Sequence, residues 1–227
     1  MTFSLTARCA RTGQLGVAVT SSSIAVAARC TFVRAGTGAV ATQNVTDPRL
    51  GPKGLDFLAA GLPAQAAMNA LLATQAHPEY RQVALIDDQG AIAWHSGARA
   101  LGLAAVVVGP DCVAAGNLLA DEGVPAAMVR AFEESGGELL AERLVRALEA
   151  GLAAGGEAGP VHSAGLVVAA EEAWPWADLR VDWHDEPNGA IPALRRLWQD
   201  WAPQADAYVT RALDPTAAPS YGVPGDE

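Results

Sequence analysis

The sequence predicts an α+β protein built as a four-layer αββα sandwich of two mainly antiparallel sheets. Three observations lead there. Strand-like segments come as neighbours joined by short turns, which marks hairpins rather than parallel crossovers. Helical segments also come in pairs, set between the hairpins. Finally, the runs LGVAV, AAVVVG and AGLVVAA lack a polar side, so each sheet must be covered on both faces.

In chain order, TFSLTARC alternates polar and apolar side chains and LGVAVTSS is small and β-branched, with the turn ARTGQ between them. Residues 2–22 therefore read as a hairpin. CTFVRAGTGAVATQNV gives two short strands parted by Gly36 and Gly38. TDPRLGPKG reads as a loop with two prolines and two glycines, followed by a short helix, LDFLAAG. PAQAAMNALLATQ begins with Pro63 in a first-turn position and carries Ala64, Ala67, Met68, Leu71 and Leu72 on one face. RQVALID with AIAWHSG, and AAVVVG with CVAAGNLLA, make two more hairpins. VPAAMVRAFEES and ELLAERLVRALEAGLAAGG form a second helical pair across Gly136-Gly137. HSAGLVVAA and ADLRVDWH are the last strands, and one helix near PALRRLWQDWAPQADAYVTRAL closes the fold. Residues 1–213 are expected to be a single domain, and the Pro-rich acidic tail 214–227 to be disordered.

Hydrophobic residues make up 51% of the 227-residue chain and charged ones 18%, enough for a substantial core. The net charge of −10 disfavours a nucleic-acid partner, which needs a basic surface, and an anionic membrane. No signal-like segment and no apolar run of membrane-spanning length is present, so a cytoplasmic location is expected. Cys9, Cys30 and Cys112 form no CxxC pair and read as reduced, buried thiols. The sequon at Asn44 carries no weight in that setting.

Ready-made catalytic motifs are few. GTGAVA matches a dinucleotide-loop pattern, but the residues after it read as strand where that loop must open a helix. There is no P-loop and no G-x-S-x-G elbow. Asp182, His184 and Glu186 would share a face with metal-ligand chemistry if the last strand ran that far, though a solvated strand end is the plainer reading. His77 and His95 read as loop and turn residues, and Ser21-Ser22-Ser23 as a polar turn.

The N-terminus offers more. A threonine hydroxyl becomes a nucleophile when a base lies within reach, and a free α-amine on the same residue can be that base. Its ordinary pKa of about 7.7–8.0 leaves a useful neutral fraction at pH 7. The mechanism needs Met1 removed, and the small side chain of Thr2 permits that removal.

MTFSLTA, GQLGVAVTSSS, RAGTGAVATQN, RLGPKGLDFLAAGLPAQAAMNALL, AAGNLLA, ALEAGLAAGGEAG, HSAGLVV and DLRVDWHDEP, in this order, resemble the bacterial and archaeal domain-of-unknown-function family 1028 over about residues 2–200. The resemblance implies an N-terminal-nucleophile (Ntn) hydrolase-like fold with Thr2 at the nucleophile end of the first strand. It implies further roles. Thr2 would attack through Oγ1 and take the proton on its own amine, with Ser21 and Ser22 placing polar groups around that amine. Arg34, 32 residues after Thr2, would supply a charge that lowers the amine pKa, but never relay a proton, because guanidinium does not deprotonate. Asn117 would donate to a developing oxyanion, the alternative being an asparagine that merely ends a strand. Ser163 would bond the amine, and Gln43 would line the cleft.

Three functions are left to weigh. One is an amidohydrolase that takes a small-molecule amide or acyl-amino substrate through an acyl-enzyme, with no metal or organic cofactor. Another is a non-catalytic ligand binder or homo-oligomeric scaffold. The outlier is metal-assisted hydrolysis at Asp182 and His184.

Overall fold

The computed structural model describes residues 1–225. Its strands are β1 (Thr2–Arg8), β2 (Leu15–Ser21), β3 (Thr31–Arg34), β4 (Gly38–Asn44), β5 (Arg81–Asp87), β6 (Ile92–Ser96), β7 (Ala105–Gly109), β8 (Cys112–Asn117), β9 (Ser163–Ala169) and β10 (Pro175–Val181). Its helices are α1 (Ala27–Cys30), α2 (Leu50–Ala59), α3 (Ala64–Ala73), α4 (Val124–Glu134), α5 (Leu140–Ala153), α6 (Ala190–Trp201) and α7 (Ala205–Leu213). Six strands make one antiparallel sheet in the order β10-β9-β2-β1-β8-β7, and four make another, β3-β4-β5-β6.

Alternation along β1 explains the layering. Phe3, Leu5 and Ala7 point into a core shared with α4, α5 and α6. Ser4, one position off, reaches the opposite sheet, where its hydroxyl meets Gln43. On β2 the faces separate in the same way. Leu15 and Val17 pack against Ala39, Ala41 and Ile86 of the smaller sheet, whereas Ala18 joins the helix-side core. Gly16 lets α5 come close, since a Cβ there would stand 2.8 Å from Leu144 Cδ1. The smaller sheet is covered on its outer face by α2 and α3 through Leu50, Leu55, Met68 and Leu71.

The structure corrects the sequence reading in three places. α2 begins at Leu50, inside the expected loop: Pro52 falls in the first turn, where a missing N–H costs nothing. Gly51 is there for packing, because a Cβ would overlap the Phe32 ring. The final helix is two helices, broken around Pro203 between α6 and α7. β10 starts at Pro175 and ends at Val181, so Asp182, His184 and Glu186 share no strand face. Asp182 is instead paired with Arg180 at 2.9 Å, and no three metal-binding side chains converge among the described residues.

Cys9, Cys30 and Cys112 are unpaired and buried. No helix among the described residues is long and apolar enough to cross a membrane. Beyond α7, residues 214–225 form turns and bends, with the Arg211 guanidinium 3.8 Å from the Tyr221 ring centre. Residues 226–227 of the expected tail lie outside the described residues.

Candidate functional site

Antiparallel register sets the site. Thr2 lies opposite Asn117 on β8, Ser21 lies opposite Ser163, and the Phe3–Thr20 pairing puts Thr2 opposite Ser21. Directly opposed residues project to the same face. Asn117, Thr2, Ser21 and Ser163 therefore form one polar row across four adjacent strands, on the face toward the other sheet. That sheet answers with its own row, Gln43, Gln82 and Ser96 on β4, β5 and β6. Toward the other end of the intersheet space the contacts are apolar, through Leu15, Val17, Ala39 and Ile86. The polar groups thus collect at one end of the space between the sheets.

The two rows are tied together by buried hydrogen bonds. Ser4 Oγ donates to Gln43 Oε1 at 2.8 Å, and Gln43 Nε2 donates to Gln82 Oε1 at 2.7 Å. Asn117 Nδ2 donates to the same Gln82 oxygen at 3.1 Å. Gln82 Nε2 donates to the Gly116 carbonyl at 3.0 Å and to Ser96 Oγ at 3.2 Å. The Gly116 carbonyl only accepts, so it orients the whole chain of amides. Gln82 must turn its nitrogen to Gly116 and its oxygen to Gln43 and Asn117, and both of these must present nitrogens. Asn117 is left with a buried Oδ1 that has no partner, on the residue opposite Thr2.

Thr2 is buried, and its hydroxyl donates to the Met1 carbonyl. Ser21 Oγ donates to that carbonyl at 2.5 Å, accepts from the Ser23 N–H at 3.0 Å and lies 3.4 Å from Thr2 Oγ1. Ser163 has a different task from the one expected. Its hydroxyl donates to the Ser23 carbonyl at 2.6 Å and accepts from the Val26 N–H at 3.3 Å, holding the loop after β2 rather than an amine. Ser22 enters through its backbone N–H, which donates to Glu157 Oε2 at 3.1 Å. Gln43 reaches the site through Ser4 and Gln82.

Arg34 does not join this group. It sits beside the β3–β4 turn, opposite Gly38, half exposed and paired with Asp56 of α2 at 2.9 Å. Gly38 is five residues along β4 from Gln43, roughly 17 Å at strand spacing. Spacing in sequence carried the expectation, and the turn at Gly36 placed the guanidinium at the wrong end of the strand.

The charge that does lie near the terminus is Glu157. After α5, Gly155 and Gly156 adopt positive φ, turning the chain so that Glu157 bridges to Leu119 beside the end of β8. The carboxylate is 5% exposed, and its Oε1 has no partner. Burial pushes its pKa up to about 7, against the opposing pull of the Met1 α-ammonium and the Ser22 N–H. A carboxyl whose folded pKa exceeds its unfolded value of about 4.3 favours the fold at low pH and loses that contribution as pH rises toward 7. Glu157→Gln is therefore expected to gain on the parent between pH 4.5 and 7.5, by about 2–4 kcal/mol. Denaturant titrations at a series of pH values check this, and a difference that stays constant over that range would contradict it.

Glu157 and Gln82 were missed by sequence reasoning, although both left a trace. Glu157 is a lone charge in the small-residue run GGEAG, and Gln82 is a polar position in the apolar strand RQVALID.

The profile described as "Family of unknown function (DUF1028)" matches residues 2–191. A crystal structure of a DUF1028 protein from Silicibacter pomeroyi is similar at a TM-score of 0.82 and 29% identity, covering 88% of this chain and 86% of that one. Anbu (ancestral beta-subunit) from Yersinia bercovieri matches at 11% identity over 91% of this chain and 97% of its own. Its TM-score of 0.39 is too loose to argue from. No curated protein matches the chain.

Proposed function

This chain belongs to the DUF1028 family of unknown function, and we propose that it is an N-terminal-threonine amidohydrolase of Ntn-hydrolase type acting on a small amide or acyl-amino compound. The observation that carries the reading is the polar row Asn117–Thr2–Ser21, which starts an interior strand with a hydroxyl residue and faces the glutamines of the other sheet. Once Met1 is removed, the Thr2 amine stands on the same residue as the hydroxyl it must deprotonate.

In this reading Thr2 Oγ1 attacks the substrate carbonyl carbon while its proton passes to the α-amine. Asn117 Oδ1 accepts from that amine and holds it, a different task from oxyanion donation. The Ser21 hydroxyl already donates to a carbonyl oxygen at this spot and is the donor for the oxyanion. The C–N bond then breaks, the amine returns the proton to the leaving nitrogen, and water cleaves the acyl-threonine ester. Arg34 has no part in these steps.

Intact mass of untagged protein and a screen of small amides, with and without chelator, test the proposal. Loss of Met1 and chelator-resistant hydrolysis are expected, and retention of Met1 in every preparation removes the amine mechanism. Asn117→Ala is expected to lower turnover about 10²-fold or more, by freeing the amine to wander. Parent-level turnover in that variant would remove Asn117 from the mechanism. A second reading, a non-catalytic binder, is favoured by one observation: Met1 fills the site itself, its carbonyl taking the hydroxyls of Thr2 and Ser21.

A further inference from the structure

Met1 sits in the site much as a bound molecule would. Its carbonyl takes hydrogen bonds from Ser21 Oγ, at 2.5 Å, and from Thr2 Oγ1. Its side chain lies over Gly159, where an added Cβ would stand 3.1 Å from Met1 Cε and 3.4 Å from Sδ. Its α-ammonium is the cation that acts on Glu157. The Met1–Thr2 peptide is therefore arranged as an aminoacyl amide, with carbonyl on hydroxyls and side chain over glycine, while Glu157 feels the ammonium charge without an ion pair to it.

Glu157 stands at the rim of a cavity of about 490 Å³ that is also lined by Leu152, Gly155, Gly159, Pro160 and Asn188. That volume is far larger than one side chain and leaves room for a whole amino-acid amide. One carboxylate oxygen is engaged by the Ser22 N–H, while Oε1 is buried and has no partner. A buried carboxylate oxygen without a donor is costly, and a cationic ligand would satisfy it. The chain's net charge of −10 also favours the approach of cations over anions.

We propose that the site is specific for amino-acid amides with a free α-ammonium, that Glu157 is the residue that recognises the ammonium, and that the space left by Met1 receives the acyl side chain. The assignment rests on the reading that Met1 is removed and Thr2 is the nucleophile. Cleavage would convert an amino-acid amide and water into the free amino acid and the released amine.

The test uses the full chain released from a cleavable fusion so that it begins at residue 2, with Thr2→Ala to prevent turnover. Binding of L-methioninamide is compared with that of N-acetyl-L-methioninamide, which has the same side chain and amide but no charge. The free amine is expected to bind at least tenfold more tightly, and Glu157→Gln is expected to abolish the difference. Equal affinity for the two amides, no saturable binding of L-methioninamide, or an unchanged preference in Glu157→Gln would each overturn the assignment. The comparison on the parent Glu157 protein needs no second variant to fold. With Thr2 intact, release of ammonia from L-methioninamide addresses the amidohydrolase reading separately. Tight binding with no release retires the hydrolase and leaves the recognition site in place.

Discussion

Thr2→Ala is expected to abolish amide hydrolysis, with turnover falling on the order of 10⁴–10⁶-fold, as when other activated hydroxyl nucleophiles are deleted. Thr2→Ser, which keeps the hydroxyl and the amine, should stay within about tenfold of the parent. Neither change should unfold the protein. The Thr2 hydroxyl makes a bond to the carbonyl of its own neighbour and a long 3.4 Å contact with Ser21 Oγ, so its removal costs about 1 kcal/mol. The pairing of β1 with β2 and β8 does not depend on the side chain. Steady-state rates measured beside denaturation curves separate chemistry from stability. Parent-rate turnover in the alanine variant would make Thr2 a structural residue and end the N-terminal-nucleophile reading.

The second large effect falls on stability. Gln82→Leu removes the residue on which the cross-cleft network converges. Gln43 Nε2 and Asn117 Nδ2 lose their acceptor, and the Gly116 carbonyl loses its donor, all in the buried space between the sheets. Each stranded group carries a desolvation cost of about 1–3 kcal/mol, so the variant is expected to lose about 3–5 kcal/mol after partial relaxation. Ser96→Ala, which removes a weaker 3.2 Å contact at the edge of the same network, should cost about 1 kcal/mol or less. Urea denaturation of the two variants measures the contrast. A loss below 1 kcal/mol in Gln82→Leu would mean that water reaches these amides and that they are not a rigid wall of the site. Because the same network dictates which atom Asn117 turns toward Thr2, Gln82→Leu should also slow hydrolysis more than its loss of stability explains.

Most strands were legible because two periodicities are written locally. Alternation marked β1, and unbroken apolar runs marked β2, β7 and β9 as strands covered on both faces. The failures were also physical. The glycines and prolines of RLGPKG signal a loop when read by propensity, yet Gly51 is a contact surface for Phe32, which lies far enough away in the chain that no local rule registers it. The last helical stretch was read as one helix although it contains Pro203, and the chain breaks there between α6 and α7.

By itself, the sequence determined the pairing of strands into hairpins, the helix pairs and the presence of Thr2 at the head of the first strand, since these depend on neighbours within one or two turns of chain. Only the tertiary structure decided which side chains meet between the sheets. Strand order put Asn117 and Ser21 on either side of Thr2, the Gly155–Gly156 turn delivered Glu157 to the terminus, and the β3–β4 turn carried Arg34 away. The reason is that register and long-range packing are set by the burial of whole faces. The residues that meet there are separated by 19 to 142 positions in the chain, beyond anything periodicity can encode.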